Sequence, residues 1–187
     1  FSYIPRLEKS DFDPEADYVY VCFNNTIFGS RFTKFPTTKA PLVADMSSNI
    51  LSEEVDVSKF GVIYAGAQKN MAPAGLTIVI IREDLIGYAR EDTPSMLNYQ
   101  LQAENGSMYN TPPAYGIYIC GKVFKWLKQM GGLEAMKAHN EKFKADMKHY
   151  GKDVEMEMGC CDGKKDCKNI NDCKKSLPGT YLFRAVF

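Results

Sequence analysis

The sequence predicts an α/β fold in which a mostly parallel sheet carries helices, and three observations lead to it. Short apolar runs rich in β-branched and aromatic residues recur through the first half, at residues 17–23, 40–49, 60–67 and 76–83. The second run stops at Asp45 and passes into Met46, Ser47, Ser48 and Asn49. A buried parallel strand ends in this way when its carboxyl end opens onto a site. The second half changes period: Ile117, Cys120, Val123, Phe124 and Leu127 fall at helical spacing.

Taken in order, DYVYVCF alternates aromatic and β-branched residues and reads as a strand, followed by the polar loop NNTIFGS with Gly29 marking a turn. APLVAD is the second strand. Between Asp45 and Phe60 there is room for a turn or a short helical crossover, not a long helix. FGVIYAGA and LTIVIIRE are the third and fourth strands, and the segment joining them holds Lys69 among small residues, with Pro73 and Gly75 limiting any helix there. Residues 98–113, with Asn-Gly and Pro-Pro breakers, read as a loop. A helix over 114–130 ends at Gly131 and Gly132, and a second, with a charged outer face, runs over 133–150. The stretch beyond it carries four of the six cysteines and many lysines, and TYLFRAVF reads as a closing strand.

Composition narrows the function classes. The chain has 187 residues, 45% hydrophobic and 25% charged, the balance of one sizeable globular core. Lysine plus arginine equals aspartate plus glutamate at 23 each, so no net field favours nucleic acid or an anionic membrane. The longest apolar runs are too short to span a bilayer. The first residues lack the basic-then-apolar order of a signal peptide, so the expectation is a cytoplasmic protein with reduced cysteines. Cys160, Cys161, Cys167 and Cys173 do not follow a familiar zinc spacing, and no metal site is expected. The two histidines, His139 and His149, fall on the charged helix. There is no G-x-x-x-x-G-K-[ST] to make Lys69 a nucleotide-binding lysine, and no G-x-G-x-x-G for a dinucleotide.

Asp45 and Lys69 form a pairing with chemical meaning. A lysine amine condenses with an aldehyde once burial or a neighbouring cation eases its deprotonation. Pyridoxal phosphate is the commonest aldehyde cofactor held this way, and its pyridine nitrogen draws electrons only when protonated against a carboxylate. Each residue also has a plainer reading. An aspartate at a strand end caps a turn, and a loop lysine is a solvated charge.

The segments LVADMSSNILS, DVSKFGVIYAGAQKNMAPAG, TPSMLNY and NGSMYNTPPAYGIY, in that order over about residues 18–150, resemble the phosphoserine aminotransferases. The resemblance implies part of the large, cofactor-binding domain of a fold-type I pyridoxal-phosphate transferase over residues 1–129. It implies the start of a small C-terminal domain over 130–187, where the Cys- and Lys-rich tail is atypical. By resemblance, Lys69 holds the cofactor as a Schiff base and shuttles the proton, and Asp45 pairs with the pyridine nitrogen. Thr26 hydrogen-bonds the ring oxygen, with Asn25 standing where the family usually has glutamate, and Gln68 contacts the phosphate. Asn110 and Thr111 reach the phosphate in a neighbouring subunit, which implies a homodimer. Ser47 and Ser48 lie in the same strand-end motif, touching the cofactor or only capping the loop. The implied activity moves an amino group between O-phospho-L-serine or 3-phosphooxypyruvate and 2-oxoglutarate or glutamate, a step of serine biosynthesis. The family's Gly-Arg phosphate turn, its ring-stacking aromatic and its substrate-binding His and Arg residues have no counterpart here, and Arg184 is a poor match to the arginine that takes the substrate carboxylate. The alternative function is therefore a non-catalytic interaction or dimerisation module.

Overall fold

The structure, a computed structural model, describes residues 4–150, with side chains through residue 146. Strands β1 (Val19–Cys22), β4 (Leu42–Asp45), β5 (Val62–Gly66) and β6 (Thr77–Ile81) form one four-stranded sheet in the order β1-β4-β5-β6. A two-stranded hairpin, β2 (Asn24–Asn25) and β3 (Ser30–Arg31), leaves the end of β1. Three helices follow: α1 (Tyr99–Glu104), α2 (Ala114–Gln129) and α3 (Gly132–Tyr150). All four expected strands and both long helices are present.

Three strands of the sheet are parallel. β1 pairs with β4 and β4 with β5 in that sense, while β6 returns antiparallel to β5. A ten-residue connection cannot carry a chain back for a parallel crossover, which needs a dozen residues or more. The step from β4 to β5 is longer and holds only turns and a 3-10 turn at Val57–Lys59.

Alternation sorts the side chains between the two faces. Val21, Phe23, Leu42, Ala44, Met46 and Ile63 point one way and are buried, joined by Phe60 in one core cluster. Phe23 stacks on Phe32 and Phe35, and the Phe35 ring meets Phe60 edge-on at 4.8 Å between centroids. On the same side, Ala65, Ala67 and Met71 pack with Cys120 of α2. α2 lies against the chain after the Lys69 turn at the buried Gly116, where an added Cβ would make ordinary contact, 3.5 Å from Leu76 Cβ. The opposite face presents Tyr20, Cys22, Val43, Asp45, Val62, Tyr64 and Gly66, each exposed or half-buried.

Three expectations change. The loop NNTIFGS is a hairpin, in which Asn25 Oδ1 accepts from Phe28 N–H at 3.3 Å and Gly29 takes φ +64°. The segment 98–113 contains α1, because Asn98 caps it by accepting from Gln100 N–H at 3.0 Å and Gln100 bonds Glu104 one turn on. On α2 the buried line is Gly116, Cys120 and Leu127, while Ile117 and Phe124 are exposed. His139 is exposed on α3. The closing strand, Arg184, His149's side chain and the four tail cysteines lie outside the described residues. Among the described residues, no helix is long and apolar enough to cross a membrane.

Gly75 closes the Lys69 connection at φ +107°, with open space around its Cα. Only backbone strain opposes a side chain there. Gly75→Ala is expected to cost about 1–2 kcal/mol, seen as a lowered urea midpoint with an unchanged slope.

Candidate functional site

The carboxyl ends of β1, β4 and β5 form a common rim, and the sequence places a polar turn after each. β4 ends at Asp45 because Asp45 Oδ1 accepts the Ser47 N–H at 2.8 Å, turning the chain out of the sheet. The backbone stays tied in, with Phe23 N–H donating to the Asp45 carbonyl at 2.9 Å and Met46 N–H to the Tyr64 carbonyl at 2.9 Å. β5 ends at Gly66, and the Ala67 carbonyl then accepts from both Met71 N–H and Ala72 N–H. This one helical turn carries Gln68 and Lys69 on its outer side, both exposed.

Two hydrogen bonds clamp the Asp45 turn to the Lys69 turn. Gly66 N–H donates to Ser47 Oγ at 3.0 Å, and Asn70 Nδ2 donates to the Ile50 carbonyl at 2.8 Å. A third link reaches the hairpin that holds Thr26: Asn24 Nδ2 donates to Ser48 Oγ at 2.8 Å, and Ser48 Oγ–H donates to the Asn24 carbonyl at 2.9 Å. Ser47 and Ser48 therefore hold the rim together. Glu53 links β3 to α3, paired with Arg31 and, at 3.4 Å, with Lys137.

The half-buried Asp45 has a neighbour on each side. Cys22 of β1 and Tyr64 of β5 are its register partners, so both project from the same face of the sheet. Burial first, then the Asp45 charge, pushes the Cys22 thiol up, so it stays neutral. The Tyr64 phenol is held well above its ordinary range by a hydrogen bond with Tyr20, by burial and by Asp45. The Tyr20 and Tyr64 hydroxyl oxygens lie 3.2 Å apart.

The small residues on either side of Lys69 serve the core. Ala65 and Ala67 are fully buried and pack into the core beneath the turn. They allow close approach of α2 to the sheet; they do not clear space around the lysine, which is exposed. Gly66 makes room for Gln68: a Cβ at Gly66 would come within 2.5 Å of the Gln68 Oε1. The glycine thus lets the Gln68 amide fold back over the end of β5.

The structure gathers Thr26, Asp45, Gln68 and Lys69 on the elements that meet at one rim. Asn110 and Thr111 are elsewhere in the chain's course, exposed in the loop before α2, where Asn110 Nδ2 donates to the Thr111 carbonyl at 3.3 Å. Reading from sequence missed Tyr20, Cys22 and Tyr64. Their signal was parity: each stands an even number of residues from its strand's last residue at the rim, and so shares its face.

A family model described as Aminotransferase class-V matches residues 5–156. The phosphoserine aminotransferase of Aromatoleum aromaticum is 53% identical over 143 residues, covering 75% of this chain and 39% of that protein. Among solved structures, the phosphoserine aminotransferase of Bacillus circulans subsp. alkalophilus superimposes with a TM-score of 0.68 at 46% identity, over 70% of this chain and 37% of that one. A PLP-bound phosphoserine aminotransferase from Trichomonas vaginalis gives a TM-score of 0.68 at 44% identity, over 70% of this chain and 39% of that one. The chain thus spans about two fifths of the length of the curated relatives it matches.

Proposed function

Because the chain belongs to the aminotransferase class-V family, we propose that its rim is the cofactor half of a phosphoserine transaminase site that takes pyridoxal phosphate. The observation that carries this reading is the clamp between the Asp45 and Lys69 turns. It fixes a carboxylate and a primary amine on neighbouring strand ends, and the solved relatives share this stretch of chain at 44–46% identity.

The donor set fits the group. Asp45 would face the ring nitrogen, Thr26 the ring oxygen, Gln68 the phosphate, and Lys69 the aldehyde carbon. When bound, pyridoxal phosphate supplies an electron sink that acidifies the α-proton of an attached amino acid. The protein's own contributions are two. Asp45, aimed by the Ser47 N–H, would keep positive charge on the ring nitrogen. Lys69, on a turn fixed by backbone hydrogen bonds, would take the α-proton on its amine and return it to the aldehyde-derived carbon on the far side of the intervening nitrogen.

The substrates of this reading are O-phospho-L-serine and 3-phosphooxypyruvate on one side, glutamate and 2-oxoglutarate on the other. Asn110 and Thr111, exposed before α2, would serve the phosphate in a second copy of the chain, so the active form is a homodimer.

Incubation with pyridoxal phosphate followed by borohydride reduction and peptide mapping tests the assignment. The label is expected on the Lys69 peptide, at an occupancy well above every other exposed lysine. Labelling spread evenly over surface lysines would overturn it.

A further inference from the structure

The hairpin that carries Thr26 has two residues in each strand, and so short a pair is not stable by itself. Its base is tied where Phe32 N–H donates to the Phe23 carbonyl at 2.9 Å. Beyond the base two side chains moor it, and they are partners in its register: Asn24 on β2 and Arg31 on β3. Asn24 Nδ2 donates to Ser48 Oγ at 2.8 Å, and Arg31 pairs with Glu53. Both moorings end on the segment that follows β4. A single mooring would let the hairpin swing about it; two, on opposite strands, fix its tilt.

Glu53 does more than receive Arg31. Its side chain is 18% exposed, and its two oxygens take different cations. Oε1 takes Arg31 Nη1, and Oε2 takes Lys137 Nζ of α3 at 3.4 Å. One residue earlier, the Ser52 carbonyl accepts from Asn140 Nδ2 of α3 at 3.2 Å. The carboxylate is thus seated on α3 on one side and holds the hairpin on the other. We propose that Glu53 is a positioning residue for Thr26: through Arg31 it sets the tilt of the hairpin, with α3 as the fixed reference. Its value to the cofactor rests on the reading of Thr26 as the partner of the ring oxygen. Thr26 directly follows β2, so a change of tilt at Arg31 is carried to its hydroxyl. Glu53→Gln cannot serve both cations, because an amide has one acceptor oxygen and turns N–H donors on the second.

The experiment has two arms. In amide NMR without cofactor, Glu53→Gln is expected to displace the Thr26 and Phe28 signals and leave those of β5 native. Exchange at the Phe28 N–H, which Asn25 Oδ1 holds at 3.3 Å, should quicken. Hairpin signals that stay in place in a folded Glu53→Gln protein overturn the proposal. In the second arm pyridoxal phosphate is titrated by absorption. Glu53→Gln should raise its Kd roughly 3–10-fold, the cost of one lost hydrogen bond. In a Thr26→Val background the same change should add nothing, since both act through one hydroxyl. An equal loss in both backgrounds would show a general structural effect and overturn the assignment. Should Glu53→Gln not fold, Arg31→Gln carries both arms with the same expectations. If the wild type takes no cofactor, the transaminase reading falls, and the hairpin signals alone decide the role of Glu53.

Discussion

Lys69→Ala is expected to lower amino transfer from glutamate to 3-phosphooxypyruvate by about 10²–10⁴-fold while leaving the thermal midpoint where it was. The two halves of that expectation have separate causes. A positioned proton-transfer group contributes a factor of this order, and no other lysine lies on the turn that the Ala67 carbonyl anchors. Stability is spared because the turn is built from backbone hydrogen bonds and from the Asn70 side chain, none of which the substitution touches. Exposed side chains away from caps and cores usually move stability by less than about 0.5 kcal/mol. Lys69→Arg should be as inactive as Lys69→Ala, since a guanidinium keeps its proton at any working pH. Added methylamine should restore part of the rate to the alanine variant, where a free amine can occupy the gap, and little to the arginine variant. An alanine variant that turns over at the wild-type rate would falsify the assignment of Lys69.

Phe23→Ala is the substitution expected to cost most stability, about 3–5 kcal/mol. Phe23 is 2% exposed and stacks on both Phe32 and Phe35, with ring centroids 6.3 and 4.9 Å away. Its removal leaves a cavity that a sheet on one side and a hairpin on the other cannot close. That loss is a large part of the 5–15 kcal/mol by which most domains are stable. The consequence reaches the site as well. Phe23 donates its backbone N–H to the Asp45 carbonyl and accepts from Phe32 N–H, so it fixes the start of the hairpin that bears Thr26. Denaturant titration should show a midpoint lowered in proportion, with Phe23→Leu losing much less. A loss under about 1 kcal/mol would mean that the three-ring stack is not packed as described.

The rim of the site was legible in the chain because strand ends announce themselves. An apolar run that breaks at Asp45 into two serines and an asparagine fixes where the backbone leaves the sheet, and the break at Gly66 does the same for the turn of Lys69. What lay beside Asp45 was not legible. Tyr64 and Cys22 become its neighbours only through the pairing of β4 with β5 and of β1 with β4, a register that no single segment specifies. The small residues around Lys69 show the same limit from the other side. Their size was evident in sequence, but whether they face the lysine or the core depends on which way Ala65 and Ala67 point once α2 has docked.

The sequence by itself determined the four strands, the two long helices, the polar turn that follows Asp45 and the resemblance on which the proposed chemistry rests. These follow from periodicities of two and 3.6 residues and from local turn residues, all written within a few positions of one another. Tertiary structure alone decided the antiparallel return of β6, the Ser47–Gly66 and Asn70–Ile50 clamps, and the tyrosine pair beside the carboxylate. Those features depend on segments 11 to 44 residues apart meeting at one register. Packing of the buried face selects that register, and the alternation of the chain then carries the choice through to the face where the site lies.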